Sequence, residues 1–172
     1  MNKKLIIIFT TAILFATNLT AQVNLSPYEG TWRYTNTSTN EEFTIKLRKT
    51  IGQFTYGERV CLVGSYIYKK NGVVILDNMD MFNNNSVYPT KMPILGQSRE
   101  GELILYVNDY GIITHGKPKF VDGSLGMLIV ELGEAAKLTW KLEEEEGVSI
   151  VGVNDVPQGF TIPDDVILTK VQ

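Results

Sequence analysis

The 172-residue chain holds one cysteine and one histidine. A lone thiol cannot form a disulfide within one molecule, and a lone imidazole rules out the usual Cys/His zinc sites. Haem attachment through paired cysteines is excluded with them. Basic residues are also in short supply, 16 Lys and Arg against 19 Asp and Glu, for a formal net charge of −3. The positive field that a nucleic-acid backbone demands is therefore missing. No Gly-Lys-Ser/Thr triplet occurs, which removes a phosphate loop of the usual form. What remains is ordinary for a folded chain, with 44% hydrophobic and 20% charged residues, a balance unlike that of disordered or fibrous sequences.

The first segment reads as a secretory signal peptide spanning residues 1–21. Lys3 and Lys4 supply a positive start, Leu5 to Ala16 an apolar stretch, and Thr20 and Ala21 small residues before Gln22. That apolar stretch falls short of the roughly 20 residues needed to span a bilayer. Cys61 stands far from the cut and cannot carry a lipid there. Residues 22–172 are then read as one exported domain, periplasmic or extracellular, with no stable membrane span after cleavage. Its 14 basic and 19 acidic residues give a net charge of −5. Its 151 residues can bury about two-thirds of their unfolded surface without staples.

Beyond Gln22 no stretch keeps apolar residues at helical spacing for three turns. Short β-branched and aromatic runs alternate instead with clusters of Gly, Asn, Asp or Pro. Phe43, Ile45 and Leu47 alternate with Thr44 and Lys46, the period of two that marks a half-buried strand. Further strands are expected at Thr31–Thr35, Arg59–Tyr68, Val73–Leu76, Met92–Gln97, Leu103–Val107, Met127–Leu132, Lys137–Leu142, Val148–Val151 and Val166–Lys170. Asn71-Gly72 between two such runs is a strong hairpin signal. Residues 77–93 and 108–123 read as irregular. The pattern is that of an all-β sandwich or barrel with little helix.

Several strands are apolar on both faces. In Arg59–Tyr68, Cys61, Val63 and Ile67 point one way while Val60, Leu62, Tyr66 and Tyr68 point the other. A sheet with one face in water alternates more strictly, so a second layer, another subunit or a ligand must cover the extra face.

Tyr28-Glu29-Gly30-Thr31-Trp32 stands at the entry to the first strand and resembles the Gly-x-Trp opening of lipocalin-like barrels. That resemblance implies a closed antiparallel barrel of about eight to ten strands, with the tryptophan plugging its floor beneath a basic side chain from a late strand. The usual partner is an arginine. None follows Arg99, and Lys170 is the residue available. Gly30 to Tyr34, Glu41 to Ile45, Gly64 to Gly72, Leu138 to Leu142, Phe160 to Pro163 and Val166 to Lys170 together resemble a family of small exported bacterial proteins defined only as a domain of unknown function. That resemblance implies no activity, ligand or catalytic residue.

Candidate chemistry is sparse. His115 has no nucleophile or orienting group beside it in the sequence, so a loop histidine without catalytic role is the simpler reading. Asp77-Asn78-Met79-Asp80 and Asn83 to Asn85 gather oxygens but lack the spacing, glycine and closing glutamate of a calcium loop, and Asn and Asp also favour turns. Glu143 to Glu146 reads as a solvated turn. Cys61, flanked by Val60 and Leu62, reads as a small buried hydrophobe. No catalytic residue, metal ligand or cofactor can be named, which makes an enzyme the weakest reading.

Two binding functions remain. In one, a small apolar ligand lies inside the barrel against Trp32, Tyr34, Phe43, Ile45, Val63, Ile67, Leu105 and Trp140. In the other, the core is filled and the protein is an interaction or inhibitor module with a cell-envelope protein as partner. An apolar void favours the first; a solid interior with exposed apolar residues favours the second.

Overall fold

The computed structural model describes residues 23–83, 88–99, 101–114, 116–128, 130–131, 133–144 and 157–171. The expected signal peptide, the expected strand at Val148–Val151 and His115 lie outside them. Nine strands are described: β1 (Gly30–Asn36), β2 (Glu41–Phe54), β3 (Gly57–Lys70), β4 (Val73–Asp77), β5 (Ile94–Arg99), β6 (Glu102–Thr114), β7 (Lys117–Leu128), β8 (Lys137–Glu143) and β9 (Asp165–Val171). One short helix, α1 (Met79–Asn83), and 3-10 turns at Ser26–Tyr28 and Pro89–Lys91 complete the described elements.

All strand pairings are antiparallel. The order β2-β1-β9-β8-β7-β6-β5-β3 returns on itself because β2 also pairs with β3. Eight strands thus close into a barrel, and β4 is an extra strand hydrogen-bonded to β3. This is the all-β, antiparallel architecture that the strand pattern implies.

The longest ladder joins β2 and β3, from Glu41 opposite Lys70 to Phe54 opposite Gly57. Along β2, Phe43, Ile45 and Leu47 are buried inside and Lys46 is exposed, while Thr44, expected on the same outer side as Lys46, is buried and accepts from Arg33 Nε at 3.3 Å. Asn71 and Gly72 turn β3 into β4 with φ of 53° and 75°. Positive φ at both central residues is what a two-residue hairpin with the right twist requires.

The sequence reading differs from the structure over residues 108–132. The stretch read as irregular holds the end of β6, a hairpin turn and most of β7, while of the strand expected at Met127–Leu132 the described residues Met127 and Leu128 end β7 and residues 130–131 lie outside any strand. The register shifts between Asp109 and Ile113, and the inward positions Asp109 and Lys119 are charged. A bulge and polar inward side chains erase the apolar alternation by which strands are read.

The doubly apolar β3 is also explained. Leu62, Tyr66 and Tyr68 enter the barrel core, while Cys61 and Val63 face outward and pack with Phe82, Met92 and Leu95. Phe82 comes from α1 and Met92 from the segment leading into β5, so the covering layer belongs to the chain itself. Burying one such aliphatic or aromatic side chain contributes about 1.5–3 kcal/mol.

Candidate functional site: the barrel interior and its two ends

The lower end is sealed by a tryptophan. Trp32 is completely buried and its Nε1–H donates to the Tyr28 carbonyl at 2.8 Å. Lys170, its register partner on β9, places Nζ 5.1 Å from the centre of the Trp32 ring. The late basic residue expected over the floor is therefore this lysine. Leu25 and Tyr28, around the first 3-10 turn, are buried in the same core.

Above the floor the interior is filled by side chains of the strands. Trp32, Phe43, Ile45, Leu105 and Trp140 are each fully buried. The Phe43 ring centre lies 5.3 Å from that of Trp140, 6.0 Å from Tyr66 and 6.4 Å from Tyr68. Such tilted and edge contacts are worth about 0.5–1.5 kcal/mol each beyond area burial. Tyr66 donates from its hydroxyl to the Asn108 carbonyl at 2.7 Å and accepts from the Tyr110 N–H at 3.1 Å. Burial pushes its phenol well above the ordinary range.

Of the eight residues placed in the ligand set from sequence, six meet in or against this core. Trp32, Phe43, Ile45, Leu105 and Trp140 belong to it, and Tyr34 packs against it half-buried. Tyr34 also borders a surface depression of about 280 Å³ with Arg33, Ile167 and Lys170. The other two are elsewhere: Val63 belongs to the outer cluster, and Ile67 shares its face of β3. The alternation was right; which side faced in was not readable.

At the upper rim, Glu41 accepts from Tyr68 Oη at 2.8 Å and from Thr39 Oγ1 at 2.8 Å, and pairs with Lys70 at 2.9 Å. These donors, the Lys70 bond first, hold its carboxyl down at about 2. Burial, then the Glu41 carboxylate, pushes the Tyr68 phenol up to about 12.

The mouth within that rim is closed by the segment from Pro157 to Asp164. Phe160 packs against the core and Ile162 is buried in it. Three charged residues hold the segment, and the sequence reading assigned this role to none of them. Lys119, itself buried, binds Glu144 and the carbonyls of Pro157 and Gly159. Asp109, fully buried, accepts from the Thr161 N–H, and Glu144 from the Gly159 N–H. Glu144 is an anchor here, whereas its acidic run had read as a solvated turn. The signal for Asp109 was its parity with Leu103, Leu105 and Val107, a carboxylate on an otherwise apolar inward face.

Little else offers chemistry. Asp77 accepts the Met79 N–H at 2.9 Å, which spends it on the turn into α1. Among the described residues, no cluster of three His, Cys, Asp or Glu side chains is placed to hold a metal ion. No described helix is long and apolar enough to cross a membrane.

Fold and interior thus define an eight-stranded antiparallel barrel with packed contents. The chain belongs to a family of unknown function, DUF6705, whose model matches residues 1–171. No curated protein and no solved structure matches it.

Proposed function

We propose that this protein is an exported, non-enzymatic interaction module that engages a cell-envelope protein through its outer surface. The observation that carries this reading is the filled interior: Phe43, Tyr66 and Trp140 occupy in contact the space that a carried ligand would need. An eight-stranded barrel is just wide enough for side chains to fill or for one small ligand. Here large aromatics have taken that room.

The outer surface supports the same reading. Val73, Val74 and Ile75 on β4 are 60, 49 and 45% exposed, and no charge interrupts them. Among the described residues, β4 pairs with β3 alone. The free backbone groups of such an edge invite another strand, and the three residues carry neither lysine nor proline, although the β3–β4 ladder shifts register at Tyr68/Lys69. Export rests on the reading of residues 1–21.

Native mass spectrometry of the mature protein purified from its own host tests the choice, combined with a photo-crosslinking residue at Val74. The expected result is a ligand-free mass and a polypeptide adduct from Val74 that is absent with the probe at the exposed Ser124. A co-purified apolar small molecule, or no adduct from Val74, overturns the reading.

A further inference from the structure

The segment from Pro157 to Asp164 crosses the barrel mouth outside the described strands and meets the β8 backbone at its last residue. Phe160 and Ile162, two residues apart, both turn into the core, while the N–H of Thr161 between them reaches Asp109 Oδ2 at 2.6 Å. The main-chain atoms of this strap are gripped chiefly by side chains of the barrel and its rim. Lys119 Nζ donates to the carbonyls of Pro157 and Gly159, each at 2.9 Å. Glu144 Oε1 accepts the Gly159 N–H at 2.6 Å, and Trp140 Nε1–H donates to the Pro163 carbonyl at 2.8 Å. A main-chain bond from Leu142 N–H to the Asp164 carbonyl, 2.7 Å, ends the row. A side chain at Gly111 would collide with Thr161, so the barrel wall also leaves room for the strap to pass closely.

Grips of this kind ask little of the occupant's sequence. They need a bent backbone with a residue at positive φ where Gly159 stands (φ +80°), then a large apolar side chain and a branched aliphatic one two positions later. Burying Lys119 and Asp109 costs desolvation; the cost is offset in part for Lys119 by its pair with Glu144 and for Asp109 by the Gly111 N–H, and both direct their remaining bonds to the main chain of the strap. A loop that merely linked two strands could satisfy its groups with water at the surface. We propose that the barrel mouth is a binding site for a bent peptide, that the strap is its resident occupant, and that a segment of another polypeptide with the pattern glycine–aromatic–x–aliphatic takes the strap's place. This surface is separate from the β4 edge, and either can fail without the other.

The strap competes in cis at the high local concentration that a tether confers, so wild-type protein should bind such a peptide weakly. The test uses the mature chain carrying Phe160→Ser and Ile162→Ser, with a fluorescent peptide of the sequence Pro157 to Asp164. Anisotropy should show saturable binding at least about tenfold tighter than to wild type, the range expected for restored apolar burial and charge-assisted bonds. Adding Lys119→Met should weaken it by about tenfold or more, and a peptide with serine at both apolar positions should not bind. Circular dichroism establishes that the variants fold. If they do not, hydrogen exchange of wild-type protein decides: excess peptide should speed exchange at the Gly159 and Thr161 amides and leave β2 unchanged. A folded variant that binds no better than wild type, or strap amides indifferent to peptide, overturns the proposal.

Discussion

Lys170 holds its ammonium 5.1 Å from the centre of the Trp32 ring, from the position directly opposite on the neighbouring strand. The pairing closes one end of the barrel with an aromatic face inside and a cation over it. Gly30 makes the approach possible. Its φ is +126°, and a Cβ there would stand 3.0 Å from Lys170 Cε.

Lys170→Ala should therefore lower unfolding stability by about 0.5–2 kcal/mol, with Lys170→Arg largely retaining it. Gly30→Ala should cost about 1–3 kcal/mol through its backbone conformation and the Lys170 contact together. The double variant Gly30→Ala, Lys170→Ala should fall short of the sum, because removing the lysine relieves that contact. Urea denaturation of wild type and the four variants measures all of this. Strict additivity would mean that the two residues do not touch energetically.

The rim pair Glu41 and Tyr68 should limit stability at both pH extremes. Glu41 titrates near 2 in the fold against an ordinary 4.5, so its contribution is complete above about 4.5 and is lost as pH falls towards 2. Tyr68 is raised from 10.0 to about 12, so the fold favours its neutral phenol and loses that contribution as pH rises from 10 to 12. In Glu41→Gln the stability difference from wild type should be largest above pH 4.5 and shrink towards pH 2. Denaturant midpoints across that window check it; a constant difference would contradict the assignment.

Cys61 is fully buried, and burial raises its thiol pKa. It should react with Ellman's reagent only at the rate of unfolding, and mild denaturant should accelerate it in step with loss of structure. Fast reaction in native buffer would show that the outer cluster of Val63, Phe82 and Met92 does not cover it.

Inside and outside are separable by truncation. Leu105→Ala, within the barrel core, should cost about 2–5 kcal/mol. Ile67→Ala, half-buried on the outer face of β3, should cost less than about 1.5 kcal/mol because little apolar surface leaves a packed environment there. Equal losses would place Ile67 inside the barrel.

Much of the wall was legible in the residues. Phe43, Ile45 and Leu47 alternate because a pleated strand with one dry face leaves no other arrangement. Asn71 and Gly72 announce their hairpin because both accept positive φ. Gly30, Trp32 and Lys170 announced the floor through resemblance. The mouth was not legible. Asp109, Lys119, Glu144 and Thr161 lie far apart in the sequence, and only the pairing of β6, β7 and β8, with the strap folded over them, brings them within hydrogen-bond distance. Nor was the orientation of β3, since both its faces are apolar and period two cannot say which is inward.

Local sequence thus determined that the chain would form short antiparallel strands, since side-chain alternation and turn chemistry act within a few residues. Tertiary structure alone decided which apolar face became the interior, what covered the other, and which buried charges met at the mouth. Those outcomes depend on contacts between residues far apart in the chain, and each exists only once the strands have paired and packed.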